Sequence, residues 1–127
     1  MSSVGKCVLV VEDSAVMRGL FKLVFEGRKG IRVDNAGDGV AALQAVRSAG
    51  RPYDLIFLDL NMPIMDGMKF LAQLAHEPLG TGSVVAVVTT EASEEAESRA
   101  RALGAGYFLR KPVTRKEVDA VIREVLG

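Results

Sequence analysis

Leu55-Ile56-Phe57-Leu58, followed by Asp59-Leu60-Asn61-Met62-Pro63-Ile64-Met65-Asp66-Gly67, is the stretch on which the fold turns. The four apolar residues read as a short strand, Asp59, Asn61 and Pro63 as turn residues leaving it, and Asp66-Gly67 as the approach to a helix. That helix carries Leu71, Leu74 and Ala75 on one face. The same alternation runs outward in both directions. Cys7 to Val11, Ile31 to Val33, Val84 to Val88 and Tyr107 to Leu109 are the other strand candidates. Met17, Leu20, Phe21, Val24 and Phe25 recur at i, i+3, i+4, i+7 and i+8 and make one helical stripe, with Gly30 placed to end it. Asp38 stands as N-cap of a second helix carrying Leu43 and Val46, which Gly50 closes. Ser93 to Leu103 offers only Ala96, Ala100 and Leu103 as a stripe, so this fourth helix is expected to be weakly anchored, either a mobile surface or a merely solvated one. Thr114 and Glu117 have capping-box spacing ahead of Val118, Val121, Ile122 and Val125. Strands alternating with helices imply parallel strands joined by right-handed crossovers, hence a doubly wound α/β domain.

A chain of 127 residues, about half of them apolar, suits a single domain with one core, and it shows no linker, low-complexity tract or repeat. Its 16 bases balance 16 acids, so no overall field favours nucleic acid or an anionic membrane. The single cysteine, Cys7, lies in an apolar run and cannot form an internal disulfide, which fits a reducing compartment. Met1-Ser2-Ser3-Val4-Gly5 lacks the charged and apolar regions of a signal peptide, and no apolar stretch is long enough to span a bilayer. A cytoplasmic address is expected.

In a parallel sheet the C-terminal ends of the strands share one edge, and the loops leaving that edge form the ligand crevice. Those exits carry Glu12-Asp13, Asp59-Leu60-Asn61-Met62-Pro63, Thr89-Thr90-Glu91 and Lys111-Pro112. Singly, each has a plain explanation: Asp13 or Ser14 as a helix cap, Asp59 as a turn residue, Thr89 and Thr90 as β-formers, Lys111 as surface charge. Together they place three acids, a hydroxyl and an amine on one edge, where the carboxylates resist joint ionisation unless a cation joins them. Magnesium, which takes oxygen ligands and keeps several waters, suits two carboxylates and a carbonyl. Nothing supports zinc or iron, since Cys7 and His76 lack ligand spacing; His76 reads as a solvated residue late in the third helix. A carboxylate beside magnesium, with a lysine and a hydroxyl near, has the parts for phosphoryl transfer to Asp59. Gly37-Asp38-Gly39 and Gly104-Ala105-Gly106 lack the rest of a phosphate-loop or dinucleotide pattern and read as turns and caps.

Val10-Val11-Glu12-Asp13-Ser14, Asp59 through Gly67, Val88-Thr89 and Gly106-Tyr107-Phe108-Leu109-Arg110-Lys111-Pro112 occur in an order that resembles the CheY-like response-regulator receivers of two-component signalling. The match spans nearly the whole chain. The resemblance implies a five-stranded parallel sheet of flavodoxin-like order 2-1-3-4-5 with helices on both faces. It implies that Asp59 accepts phosphoryl from a phosphohistidine of a sensor histidine kinase or histidine phosphotransfer protein. Magnesium would be held by Asp13, Asp59 and the Asn61 backbone carbonyl, with Glu12 acting through water. Lys111 would pair with Asp59 or its phosphoryl group, Thr89 would donate its hydroxyl and Thr90 its N–H. The Lys111-Pro112 bond looks like the family's cis peptide. Thr89 and Phe108 stand at the switch positions, and Phe108, lacking a phenol, would hold an inward rotamer by packing alone.

Several roles follow from the resemblance. The favoured one is a stand-alone chemotaxis-type receiver over residues 1–127, without a separate output domain, a monomer that binds a downstream protein through its fourth helix, fifth strand and fifth helix. It would not be an enzyme beyond catalysing its own phosphorylation and dephosphorylation, and would neither bind nucleic acid directly nor insert in a membrane. Asn61 and Glu91 match the chemotaxis type, whereas Glu12 and Thr90 depart from it. A phosphorelay intermediate and a receiver cut from a larger protein remain open. A haloacid-dehalogenase-like phosphatase would need a second acid where Asn61 stands, and a flavodoxin-type binding domain would hold flavin.

Overall fold

Short apolar runs and amphipathic segments alternate in three dimensions as they do along the chain. In the computed structural model, which describes residues 5–127, the elements are β1 (Lys6–Val11), α1 (Ala15–Phe25), β2 (Ile31–Ala36), α2 (Gly39–Ser48), β3 (Leu55–Leu58), α3 (Gly67–Leu74), β4 (Val84–Thr89), α4 (Glu94–Ala102), β5 (Ala105–Arg110) and α5 (Arg115–Leu126). Met1 to Val4, most of the stretch read against a signal peptide, lie outside the described residues.

The strands form one parallel sheet in the order β2-β1-β3-β4-β5. This is the doubly wound order expected. Because β1, β3 and β4 are covered on both faces, residues 8–11, 55–58 and 85–88 are closed off almost completely, and each reads as a continuous apolar run. On one face Val8, Val10, Leu55 and Phe57 pack with Phe21 and Val24 of α1 and Val118, Val121 and Ile122 of α5. On the other, Leu9, Val11, Ile56 and Leu58 pack with α2, α3 and the two alanines Ala96 and Ala100 of α4. Phe21 packs tilted at 4.8 Å and Phe25 edge-on at 6.3 Å against Phe57.

Helix starts follow local chemistry. Ser14, Asp38, Asp66, Ser93 and Thr114 each accept the backbone N–H three residues on, satisfying donors that have no partner within the helix. Thr114 and Glu117 complete the capping box. Ser14, not Asp13, caps α1.

Some boundaries differ from the sequence reading. β2 runs on to Ala36 because Asp34 and Asn35, poor strand formers alone, pair with Leu9 and Val10. α1 stops at Phe25, where Glu26 caps and Gly27 turns at φ +82°; Gly30, at φ +76°, serves the turn into β2 instead. α3 ends at Leu74, so Ala75 is exposed and Phe70 takes its place in the core. His76 is exposed in the turn after that helix. Gly104 is a turn residue, but Ala105 and Gly106 belong to β5, and the register slips beside them between Val85 and Ala86. Among the described residues no helix is long and apolar enough to cross a membrane.

Candidate functional site

The C-terminal edge of the sheet gathers the acids. Asp59 follows β3, its N–H donating to the Val11 carbonyl at 3.0 Å and so extending the ladder with β1. Its side chain is buried, with Oδ1 accepting the Asn61 N–H at 3.2 Å and Oδ2 standing 3.3 Å from Lys111 Nζ. Glu12 follows β1 and is only 1% exposed. One of its oxygens meets Lys111 Nζ at 2.9 Å, and the other accepts the Ser14 N–H at 3.1 Å. Asp13 is exposed at the mouth. Carboxylate oxygens of Glu12, Asp13 and Asp59 all lie within 4.8 Å of one another.

Burial raises the Glu12 carboxyl above its ordinary value; Lys111 and the Ser14 N–H pull it back, while Asp59 pushes the same way as burial. For Lys111 burial acts to lower the ammonium, but the hydrogen bond it donates to Glu12 and the charge of Asp59 outweigh it and the net direction is upward. The ammonium is therefore held charged between two buried carboxylates. Lys111 contacts only Glu12 and Asp59 of the three acids, and every ligand atom on offer is oxygen. That donor set fits a hard divalent ion such as magnesium and not a thiolate- or imidazole-seeking metal.

Thr89 ends β4 fully buried; its carbonyl accepts the Lys111 N–H at 2.9 Å, and its Oγ1 accepts the Glu91 N–H at 3.1 Å. Thr90 is exposed just beyond. Phe108 is half-buried in β5, in register with Val87, and packs on the core between the sheet and α2, α3 and α4. The Lys111-Pro112 peptide is cis. Asn61 is exposed, and its recorded contact with Asp59 is made by its N–H.

Three features escaped the sequence reading. Glu12, not Asp59, is the nearer partner of Lys111; the extra methylene of glutamate supplies the reach. Arg18 of α1 donates from Nη1 to the Glu12 carbonyl at 2.8 Å, tying down the loop that bears both acids. Gly67 lets α3 press against the Asp59 backbone, for a Cβ there would sit 2.1 Å from the Asp59 carbonyl oxygen. Ahead of it Ile64 is 82% exposed with φ +68°, a left-handed conformation unfavourable for a β-branched residue. Only the Asp66-Gly67 pair hinted at this close approach.

Residues 8–123 match the family profile of the response regulator receiver domain. The chain is 34% identical over 124 residues to a protein-glutamate methylesterase/protein-glutamine glutaminase of Azospirillum brasilense, covering 94% of this chain and 31% of that protein. It thus spans about a third of the length of the methylesterase relatives it matches. A probable chemotaxis protein CheY of Rhizobium etli is 30% identical over 120 residues, with 94% of this chain and 92% of the relative covered. Among solved structures, the CheX-CheY-BeF3-Mg complex of Borrelia burgdorferi superposes with a TM-score of 0.85 at 25% identity, over 96% of this chain and 90% of that one.

Proposed function

The chain belongs to the response-regulator receiver family, and on that premise we propose that Asp59 is its phosphoacceptor in a magnesium-dependent phosphotransfer from a phosphohistidine. A carboxylate oxygen of Asp59 forms the new P–O bond, the P–N bond to the imidazole breaks, and the imidazole leaves with its electron pair and takes up a proton. Asp13 and Asp59, with the Asn61 carbonyl, would hold magnesium, and Glu12 would act through water; the ion offsets charge on the transferring oxygens when bound. Lys111 neutralises the acyl phosphate, Thr89 supplies a hydroxyl and Thr90 an N–H. The observation that carries this reading is the buried Asp59 carboxylate set between Lys111 and the acids Glu12 and Asp13. Thr89 and Phe108 then pass the change to the face of α4, β5 and α5, where a downstream protein binds.

The same site supports a second reading of context. The methylesterase relatives, in which a segment like this one is a minor part, support a receiver that governs a larger protein, and the Rhizobium etli relative, matched over 92% of its length, supports a stand-alone signalling unit. In either case the 127 residues form one receiver unit in a regulatory role, and the missing second acid at Asn61 argues against turnover of external phosphate esters. Incubation with acetyl phosphate and magnesium, followed by intact-mass measurement, tests the assignment. Wild type gains one phosphoryl group and Asp59→Ala gains none; a wild type that is never modified, or an Asp59→Ala that is, overturns it.

A further inference from the structure

Asp13 is the one acid of the cluster that nothing holds directly: among the described residues neither its carboxylate nor its backbone makes a hydrogen bond. Glu12, beside it, is tied at every polar group. Its N–H donates to the Ala36 carbonyl at 2.9 Å, its carboxylate oxygens meet Lys111 Nζ at 2.9 Å and the Ser14 N–H at 3.1 Å, and its carbonyl accepts from Arg18 Nη1 at 2.8 Å. The Asp13 Cα joins two rigid peptide planes. The later plane, which ends in the Ser14 N–H, is fixed by the Glu12 carboxylate. The earlier plane carries the Glu12 carbonyl, and Arg18 is the only donor to that oxygen among the described residues. Arg18 is well placed to hold it still. It stands in the first turn of α1, whose Phe21 and Val24 are buried in the core. Its side chain is half-buried, and it forms no ion pair among the described residues.

We propose that Arg18 is a positioning residue for the metal: by holding the Glu12-Asp13 peptide plane against α1, it aims the Asp13 carboxylate at the ion. The inference rests on the reading of Glu12, Asp13 and Asp59 as the magnesium site. Magnesium takes oxygen ligands only at about 2.0–2.1 Å in a nearly octahedral array, so a carboxylate on a loose loop has to be ordered at the expense of affinity. A charged donor on a carbonyl, among the stronger hydrogen bonds, orders it beforehand. Charge alone gives Arg18 the opposite effect. A guanidinium bonded to the main chain of one of the acids repels an arriving divalent cation, so on that ground a chain without it binds the ion more tightly. Positioning and electrostatics thus differ in sign. Partners that orient a metal ligand from behind typically carry about 10–100-fold in metal affinity.

Manganese(II), a hard ion that takes the same oxygen ligands, is the probe; loss of its free-ion EPR signal on titration with the full chain reads affinity without any phosphotransfer. Arg18→Met, folded by circular dichroism, is expected to bind about tenfold or more weakly than wild type. Arg18→Lys keeps both a donor and the charge, and binds more tightly than Arg18→Met. Lys22→Met removes the same charge one turn further along α1, and binds as wild type or slightly more tightly. In an Asp13→Ala background, where the group to be aimed is gone, Arg18→Met adds less than about a twofold loss. Four results overturn the inference while the metal site stands: Arg18→Met binding as tightly as wild type or more so, Arg18→Lys no better than Arg18→Met, an equal loss in Lys22→Met, or the full further loss in the Asp13→Ala background. A wild type that takes up no manganese overturns the metal reading, and the role of Arg18 with it.

Discussion

Gly67→Ala asks whether the site depends on how closely α3 approaches the strand that bears Asp59. A Cβ on residue 67 would stand 2.1 Å from the Asp59 carbonyl oxygen, 2.9 Å from its carbonyl carbon and 2.7 Å from Leu60 Cα. All three are backbone atoms, and real Cβ contacts do not close below 3.0 Å, so no rotamer change relieves the clash. The Asp59-Leu60 main chain or the first turn of α3 has to retreat by roughly 1 Å. Retreat is opposed on both sides, by the Asp59 N–H bonded to Val11 and the Gly67 N–H bonded to Leu60, each at 3.0 Å. Overpacking of this kind costs about 1–3 kcal/mol, which against a typical total of about 5–15 kcal/mol leaves nearly every molecule folded. Misplacing a reacting group by about 1 Å slows its reaction by about 100-fold. Urea denaturation is therefore expected to show a loss of about 2 kcal/mol, and acetyl phosphate modification of Asp59, followed by intact mass, a far larger drop than the unfolded fraction explains. Gly106→Ala is the control, since its Cβ would approach nothing nearer than Val84 Cγ1 at 3.7 Å. Wild-type stability and wild-type rate in Gly67→Ala would refute the reasoning.

Three further outcomes are expected. Lys111→Met leaves the buried Glu12 and Asp59 carboxylates without their ammonium and destabilises by about 3–5 kcal/mol; added magnesium raises its thermal midpoint more than that of wild type, and an equal rise in both would contradict the acid cluster as the metal site. Ile64→Asn relieves a left-handed conformation that costs an L-residue about 1–2 kcal/mol while giving up a side chain already 82% exposed, so the urea midpoint should rise; a fall sinks the strain argument. Tyr53 is 3% exposed and donates to Asp34 at 2.7 Å, and burial first, then this bond, raises its phenol above the ordinary value of 10.0. A raised folded value means that the contribution is complete below the unfolded value and disappears as pH climbs past it, so wild-type stability should fall above about pH 10. Tyr53→Phe should start lower and decline less over that range, and parallel decline would show that the phenol is not responsible.

Much of the fold was legible because its determinants are local. Each strand candidate became a strand, and the caps at Asp38 and Thr114 need only a side chain and an N–H three residues away. The site was legible for a different reason: parallel strands deliver their C-terminal ends to one edge, so Glu12, Asp13, Asp59, Thr89 and Lys111 had to meet once the alternation was recognised. What stayed hidden depends on side-chain reach and on backbone strain. Nothing in the order of residues says that Glu12 outreaches Asp59 for Lys111, or that Arg18 clasps the Glu12 carbonyl. The extension of β2 through Asp34 and Asn35 was invisible because β1 supplies the pairing, overriding local propensity. Ile64 at positive φ runs against propensity altogether, and only the packing of Gly67 on Asp59 makes sense of the turn that contains it.

The proposed switch draws its plausibility from matched magnitudes. Thr89 Oγ1 is already engaged, accepting the Glu91 N–H, so turning the hydroxyl toward a phosphoryl group on Asp59 deprives the loop before α4 of that bond. One such hydrogen bond is worth about 0.5–1.5 kcal/mol net, close to the 1–3 kcal/mol typical of coupling between two sites. The helix at the end of that loop is fastened correspondingly lightly, by Ala96 and Ala100 in the core, by Leu103 at its C-cap packed only on the rim of that core, and by the Arg101 guanidinium on the Gly106 carbonyl. Were α4 held by leucines, each would contribute about 1.5–3 kcal/mol of burial, and a single phosphoryl group could not shift it. Two alanines keep its anchorage within reach of the chemistry at Asp59, which is why the thinnest apolar stripe in the chain belongs beside Phe108, on the face proposed to carry the signal.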